Sequence, residues 1–148
     1  MCGFLGEVSF LGEFSDRKKF INSSKLLSHR GPDHFDYYTN NKNLQLGFNR
    51  LSIFDISKNG NQPMNSVSGR FTIVFNGAIY NYQSIYEEIK EEFIWRGKSD
   101  TEVLLNSWEK WGPECLNKID GMFSFAVWDN KFEKIYLCRD IVGEKPLY

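Results

Sequence analysis

Apolar alternation with a period of two, recurring in separate stretches, is the feature that most constrains this fold. Leu44, Leu46 and Phe48 share one face of an extended segment, as do Phe71, Ile73 and Phe75, and again Phe123, Phe125 and Val127. Each stretch is predicted to be a β-strand with one face on a core. Met122 to Trp128 is followed, after Asp129-Asn130-Lys131, by Lys134 to Arg139. That pair is predicted to form an antiparallel hairpin with Ile135 and Leu137 inward. Gly3 to Phe10 is predicted to be a further strand.

Helical spacing is rarer. Tyr82, Ile85, Tyr86 and Ile89 form an i, i+3, i+4, i+7 set behind a predicted cap at Asn81. Ser99 and Glu102 have capping-box spacing, and Leu104, Trp108 and Trp111 give an apolar stripe that Gly112-Pro113 ends. A weaker helix is predicted over Asp16 to Leu27, and Asp55 to Arg70 reads as a loop. Strands are not separated by regular crossover helices, so the expected fold class is α+β, with antiparallel sheets covered by helices.

The 148 residues suit one domain, long enough to build a core without staples. With 18 Lys plus Arg against 19 Asp plus Glu and no long run of like charge, a nucleic-acid partner is not expected. No apolar run reaches the roughly 18 residues that span a bilayer, and the N-terminus lacks the flank and core of a secretion signal, so no membrane partner is expected. Cys2, Cys115 and Cys138 have no CxxC spacing, and His29 and His34 stand apart from them, so no metal site is expected. Free thiols suit a reducing compartment, which gives a cytoplasmic expectation.

Cys2 would become the first residue once Met1 is removed. A free α-amino group, ordinarily near pKa 8, can then act as general base for the thiol beside it, so one residue supplies nucleophile and base. Taken alone, Cys2 is also readable as an exchangeable residue at a frayed terminus. Further segments occur in one order: Cys2-Gly3-Phe4-Leu5-Gly6, His29-Arg30-Gly31-Pro32-Asp33, Arg50-Leu51-Ser52-Ile53-Phe54-Asp55, Asn76-Gly77-Ala78-Ile79-Tyr80-Asn81, Ser99-Asp100-Thr101-Glu102 and Asp120-Gly121-Met122-Phe123-Ser124-Phe125. Together they resemble the glutaminase domain of glutamine-dependent asparagine synthetases, which are class II glutamine amidotransferases.

The resemblance covers nearly the whole chain. It implies an N-terminal-nucleophile hydrolase sandwich of two antiparallel sheets between helical layers. It also implies that residues 1–148 are one glutaminase domain, truncated at its C-terminal end and lacking the synthetase domain. The implied substrate is glutamine, hydrolysed to glutamate and ammonia through a Cys2 thioester. The Asn76 side chain and Gly77 backbone N–H are the implied oxyanion donors, Arg50 the ligand of the glutamine carboxylate, and Asp100 that of its ammonium. Read singly, Asn76-Gly77 also fits a hairpin turn, Arg50 a solvated arginine, and Asp100 a first-turn acid favoured by the helix dipole. The His29–Asp33 segment, turned by Pro32, is assigned a shaping role, and Asn49, Tyr80 and Asn81 are candidate neighbours.

Ala78 departs from the Glu that follows Asn-Gly in many asparagine synthetases, and Phe48 from a His found in some relatives. No glycine-rich phosphate loop is present, so no cofactor is expected in this fragment, and an ATP-using acceptor domain is expected after Tyr148. The acceptor is open between aspartate and a uronic acid or sugar carboxylate. A catalytically silent glutamine-binding or scaffold domain is the alternative from another class.

Overall fold

The alternating segments pair into two antiparallel sheets. The computed structural model describes residues 1–11, 14–53 and 55–148, so Phe54 of the Arg50–Asp55 motif lies outside the described residues. One sheet holds β1 (Gly3–Val8), β2 (His34–Thr39) and β3 (Leu44–Arg50), with β3 central. The other runs β4 (Met64–Asn65), β5 (Phe71–Ile79), β6 (Gly121–Asp129) and β7 (Lys134–Arg139). The helices are α1 (Arg17–Lys25), α2 (Tyr82–Ile89) and α3 (Asp100–Trp111).

Side-chain alternation fixes the layers. Leu44, Leu46 and Phe48 from β3 meet Val74, Ala126 and Trp128 from β5 and β6 in an apolar layer between the sheets. The opposite faces of β5 and β6 present Phe71, Ile73, Phe75, Phe123, Phe125 and Val127 to Ile85, Ile89, Leu104, Leu105 and Trp108 of α2 and α3. Trp108 sets its ring edge-on to Phe125, with centroids 5.8 Å apart. On the outer face of the three-stranded sheet, Phe20 and Ser24 of α1 pack at Gly47. The result is helix, sheet, sheet, helix: an α+β sandwich consistent with an N-terminal-nucleophile hydrolase fold.

Several expectations need adjusting. β1 ends at Val8, and Phe10 is exposed. Leu137 is 61% exposed, while Tyr136 and Cys138 pack against the helix-side core and Ile135 against the layer between the sheets. Asn81 does not cap α2 with its side chain; it donates to the Lys118 carbonyl and accepts from the Asp120 N–H, tying the start of α2 to the approach to β6. Ser99 does cap α3, accepting from the Glu102 N–H at 3.2 Å. The Glu102 carboxylate turns instead to the N–H groups of Arg96 and Gly97, so only half of the capping box forms. The Asp55–Arg70 stretch also contains β4 and a 3-10 turn over Lys58–Gly60.

Candidate active site

Register brings the sequence candidates together. β1 and β3 pair with Gly3 opposite Asn49, which sets Cys2, the residue before β1, beside Arg50 at the end of β3. Cys2 and Phe4 share the face of Leu44, Leu46 and Phe48 that looks toward the second sheet. Asn76 extends the face of Thr72 and Val74 on β5 and looks back across. The apolar layer therefore gives way, at one end, to a polar site between the sheets.

A cavity of about 360 Å³ opens there, lined by Cys2, Arg50, Asn76, Gly77 and Asp100 together with Met1, Gln62, Ala78 and Tyr80. All five sequence-predicted site residues thus reach one cavity. Cys2 Sγ accepts from the Leu51 N–H at 3.3 Å, and the Cys2 carbonyl accepts from Arg30 Nε at 3.2 Å. The second contact ties the His29–Asp33 segment to the nucleophile's backbone. His29 itself is exposed, with Nδ1 3.0 Å from the Leu26 carbonyl. Asn49 donates to the Ser24 carbonyl on the α1 side, so of the three candidate neighbours only Tyr80 lines the cavity.

The free edge of β5 gives Gly77 its place. The Phe75 N–H, on the edge away from β6, donates to Gln62 Oε1 at 2.6 Å, and the Ile79 N–H, on the same edge, donates to Asp100 Oδ2 at 3.1 Å. Backbone groups alternate along a strand, so the Gly77 N–H points the same way, between two capped neighbours, with no partner among the described residues. Asn76-Gly77 is therefore not a hairpin turn: β5 continues through it, paired with Ser124 and Phe123. A Cβ at Gly77 would stand 2.2 Å from the Met122 carbonyl oxygen, so glycine is required by the approach of β6.

Gln62 is the residue that sequence reasoning missed. It lies in the aperiodic stretch before β4, yet its amide caps both the N–H and the carbonyl of Phe75 and reaches Thr101 Oγ1 at 3.2 Å. It continues the ladder by one side chain where β4 has ended. No periodicity or motif marks such a residue.

Arg50 is buried and fixed by the segment after it. Nη1 donates to the Ser57 carbonyl at 2.7 Å and to Asn61 Oδ1 at 2.6 Å, and Nη2 donates to the Asp55 carbonyl. Three of its five N–H donors are committed, and the remaining two suffice for one bidentate carboxylate. A Cβ at Gly60 would come within 2.4 Å of Nη2, so the turn can hold the guanidinium this closely only through glycine. Asp100, the first residue of α3, is 5% exposed. Burial pushes its carboxyl above the ordinary range, against backbone N–H donors led by Ile79 that pull it down. No Lys, Arg or His pairs with it among the described residues. A ligand cation would supply what is missing.

A second, larger cavity of about 570 Å³ lies on the other side of the same wall, which Cys2 and Asn76 share. Its lining is mostly apolar, including Phe4, Leu46, Ala126 and Leu147. No helix among the described residues is long and apolar enough to cross a membrane.

Sequence comparisons place these features in a family. The sequence model described as "Glutamine amidotransferase domain" matches residues 1–148. The chain is 38% identical over 152 residues to asparagine synthetase [glutamine-hydrolyzing] 1 of Bacillus subtilis, covering all of this chain and 24% of that protein. It is 35% identical over 149 residues to asparagine synthetase B [glutamine-hydrolyzing] of Escherichia coli, covering all of this chain and 26% of that one. A fungal relative, amidase chry2 of Gibberella zeae, is 35% identical over 159 residues, again across the whole chain and 24% of the relative. The chain spans about a quarter of the length of these relatives. By the match along its whole length, it belongs to the glutamine amidotransferase domain family.

Proposed function

We propose that this domain hydrolyses glutamine with Cys2 as nucleophile and passes the ammonia to an ATP-using acceptor domain of asparagine-synthetase type. The observation that carries this reading is the cavity itself. One thiol, two uncommitted amide-type donors, a half-committed arginine and an unpaired carboxylate line it together. That set matches, group for group, the amide, carboxylate and ammonium of a glutamine.

The chemistry follows from the placement. Cys2 Sγ attacks the side-chain carbonyl carbon of glutamine, and the thiol proton passes through the α-amine of Cys2 to the departing nitrogen. The C–N bond breaks, ammonia leaves, and a thioester remains. Water then adds to the thioester carbonyl, the C–S bond breaks, and glutamate departs as the thiol is restored. The negative charge that develops on the carbonyl oxygen in both steps is met by the Gly77 N–H and the Asn76 amide. Preorganised donors of this kind are typically worth about 3 kcal/mol each. Arg50 takes the α-carboxylate and Asp100 the α-ammonium. The apolar second cavity offers neutral ammonia a route on which it is not protonated by bulk water.

Met1 lines the site cavity next to Cys2, so its removal both frees the amine and opens that wall. Intact-mass measurement combined with a glutaminase assay tests the mechanism. Protein lacking Met1 should release glutamate and ammonia, and Cys2→Ala should abolish both the release and any acyl adduct. Full activity in a sample that retains Met1 would overturn the role of the amine. An active Cys2→Ala protein would overturn the nucleophile.

A further inference from the structure

Ser124 carries a polar group that the reaction scheme above does not use. It is 1% exposed, it lines the apolar cavity on the far side of the Cys2–Asn76 wall, and its Oγ has no hydrogen-bond partner among the described residues. Leaving a buried hydroxyl unpaired costs about 1–3 kcal/mol, so a serine in an otherwise apolar face needs a reason. Its neighbours along β6 on that face are Ala126 and Trp128, which pack in the layer between the sheets.

Asn76 is the residue directly across from it. The Phe123 carbonyl accepts from the Asp140 N–H and the Phe123 N–H donates to Asp140 Oδ2, both on the β7 side, so the backbone groups of Ser124 face β5. Those of Asn76 face β6, because Phe75 and Ile79, on the alternate positions of the strand, direct their N–H groups to the free edge. The two residues therefore form a narrow, hydrogen-bonded pair, with Cα atoms roughly 5.5 Å apart and side chains on one face. The Asn76 amide, like the Ser124 hydroxyl, has no side-chain hydrogen bond among the described residues. An asparagine amide has two faces of opposite character, and only its NH₂ can stabilise an oxyanion.

The geometry points to Ser124 as a positioning residue, whose hydroxyl donates to Asn76 Oδ1 and so turns Asn76 Nδ2 toward the carbonyl oxygen above Cys2. The contact requires a Ser124 rotamer other than the one described, in which Oγ has no partner. The hydroxyl touches neither substrate nor sulfur and acts only through Asn76. This role rests on the glutaminase reading, and it concerns turnover rather than glutamine binding.

Four variants of the full chain test it: Ser124→Ala, Ser124→Thr, Asn76→Ala and the double variant Ser124→Ala/Asn76→Ala. Ser124→Ala should lower kcat about tenfold and leave KM within about twofold, because misorientation acts on the transition state. Its thermal midpoint should stay close to that of the wild type, since one neutral hydrogen bond beside a cavity is worth only about 1 kcal/mol. Ser124→Thr should restore kcat, with its methyl group in the adjoining cavity. In the Asn76→Ala background, Ser124→Ala should add no further loss. The Asn76 side-chain NH₂ signals, identified by their absence in Asn76→Ala, should shift in Ser124→Ala. An active wild type whose kcat and NH₂ signals are indifferent to Ser124→Ala overturns this inference alone. So does an equal further loss in the Asn76→Ala background. A wild type without Met1 that releases no ammonia overturns the glutaminase reading, and this inference with it.

Discussion

The two ends of the β5–β6 pair each hold a buried aspartate, and they resolve the charge in opposite ways. At the Phe71 end, Asp129 accepts from Arg70 Nε and Nη2 and from the N–H groups of Lys131 and Phe132. Arg70 also lies over the rings of Phe71 and Phe132, at 4.6 and 5.1 Å. Burial pushes the Asp129 carboxyl up, but Arg70 and the turn N–H groups outweigh it and hold the carboxyl below the ordinary range. At the Ile79 end, burial of Asp100 is only partly offset by backbone donors, and its carboxyl stays above that range. The Gly77 N–H at that end has no partner among the described residues either, and the Asn76 amide and Ser124 hydroxyl have none there beyond each other. One end closes a hairpin and is complete within the chain. The other is left incomplete in the chemical terms that a bound amino acid would satisfy, and an uncompensated buried charge is unfavourable until it does.

The largest expected effect lies at the incomplete end. Asp100→Asn should weaken glutamine binding by about 3 kcal/mol, roughly a hundredfold in KM, because on the proposed reading the ligand ammonium would lose its charged partner. The same substitution should not lower the thermal midpoint. An aspartate whose folded carboxyl is raised above its ordinary 3.8 makes the ionised native state less stable, so stability should rise as pH falls through the raised value. Glutamine affinity in the wild type should move the other way, falling over the same window as Asp100 takes up a proton. A KM independent of pH across that window would remove Asp100 from the ammonium site.

At the complete end the signs reverse. Asp129→Ala should cost about 2 kcal/mol of stability, read from denaturant unfolding, because Arg70 and two turn N–H groups lose a charged acceptor. KM should stay put. Asp129 is depressed below 3.8 in the folded chain, so its contribution is fully present above that pH and is lost as pH falls toward its folded value. If Asp129→Ala raised KM as strongly as Asp100→Asn does, the two ends would not be separable as structure and site.

What the sequence made legible follows the same division. The core strands could be read because one face of each is apolar, and Ser99 because a cap precedes an apolar stripe. β2 leaves no such signal: His34 to Thr39 is an edge strand only partly buried on either face, so no clean alternation reports it. Alternation alone turns Leu137 inward, yet Leu137 is exposed and the hairpin turns Tyr136 and Cys138 to the helices. The five site residues were legible only through ordered motifs, because each alone fits an ordinary structural role. Gln62 was illegible for a physical reason: it substitutes a side-chain amide for a missing strand residue, which leaves no periodic trace.

The smallest expected effect concerns Ala78, which lines the site cavity with Asp100 and follows Gly77 on β5. With alanine there, Asp100 is the one carboxylate of the pair available to an ammonium that must shed its water on binding. Ala78→Glu should therefore relieve part of the dependence on Asp100. In a double-mutant cycle, Asp100→Asn should cost less glutamine affinity in the Ala78→Glu background than in the wild type, with a coupling of about 0.5–1 kcal/mol. Ala78 is buried, so the longer side chain could act by crowding β6 rather than by charge. Ala78→Gln has nearly the same bulk without the charge, and the coupling should vanish with it. Equal coupling from Glu and Gln would assign the effect to packing, while strict additivity for both would put position 78 outside the reach of the ammonium.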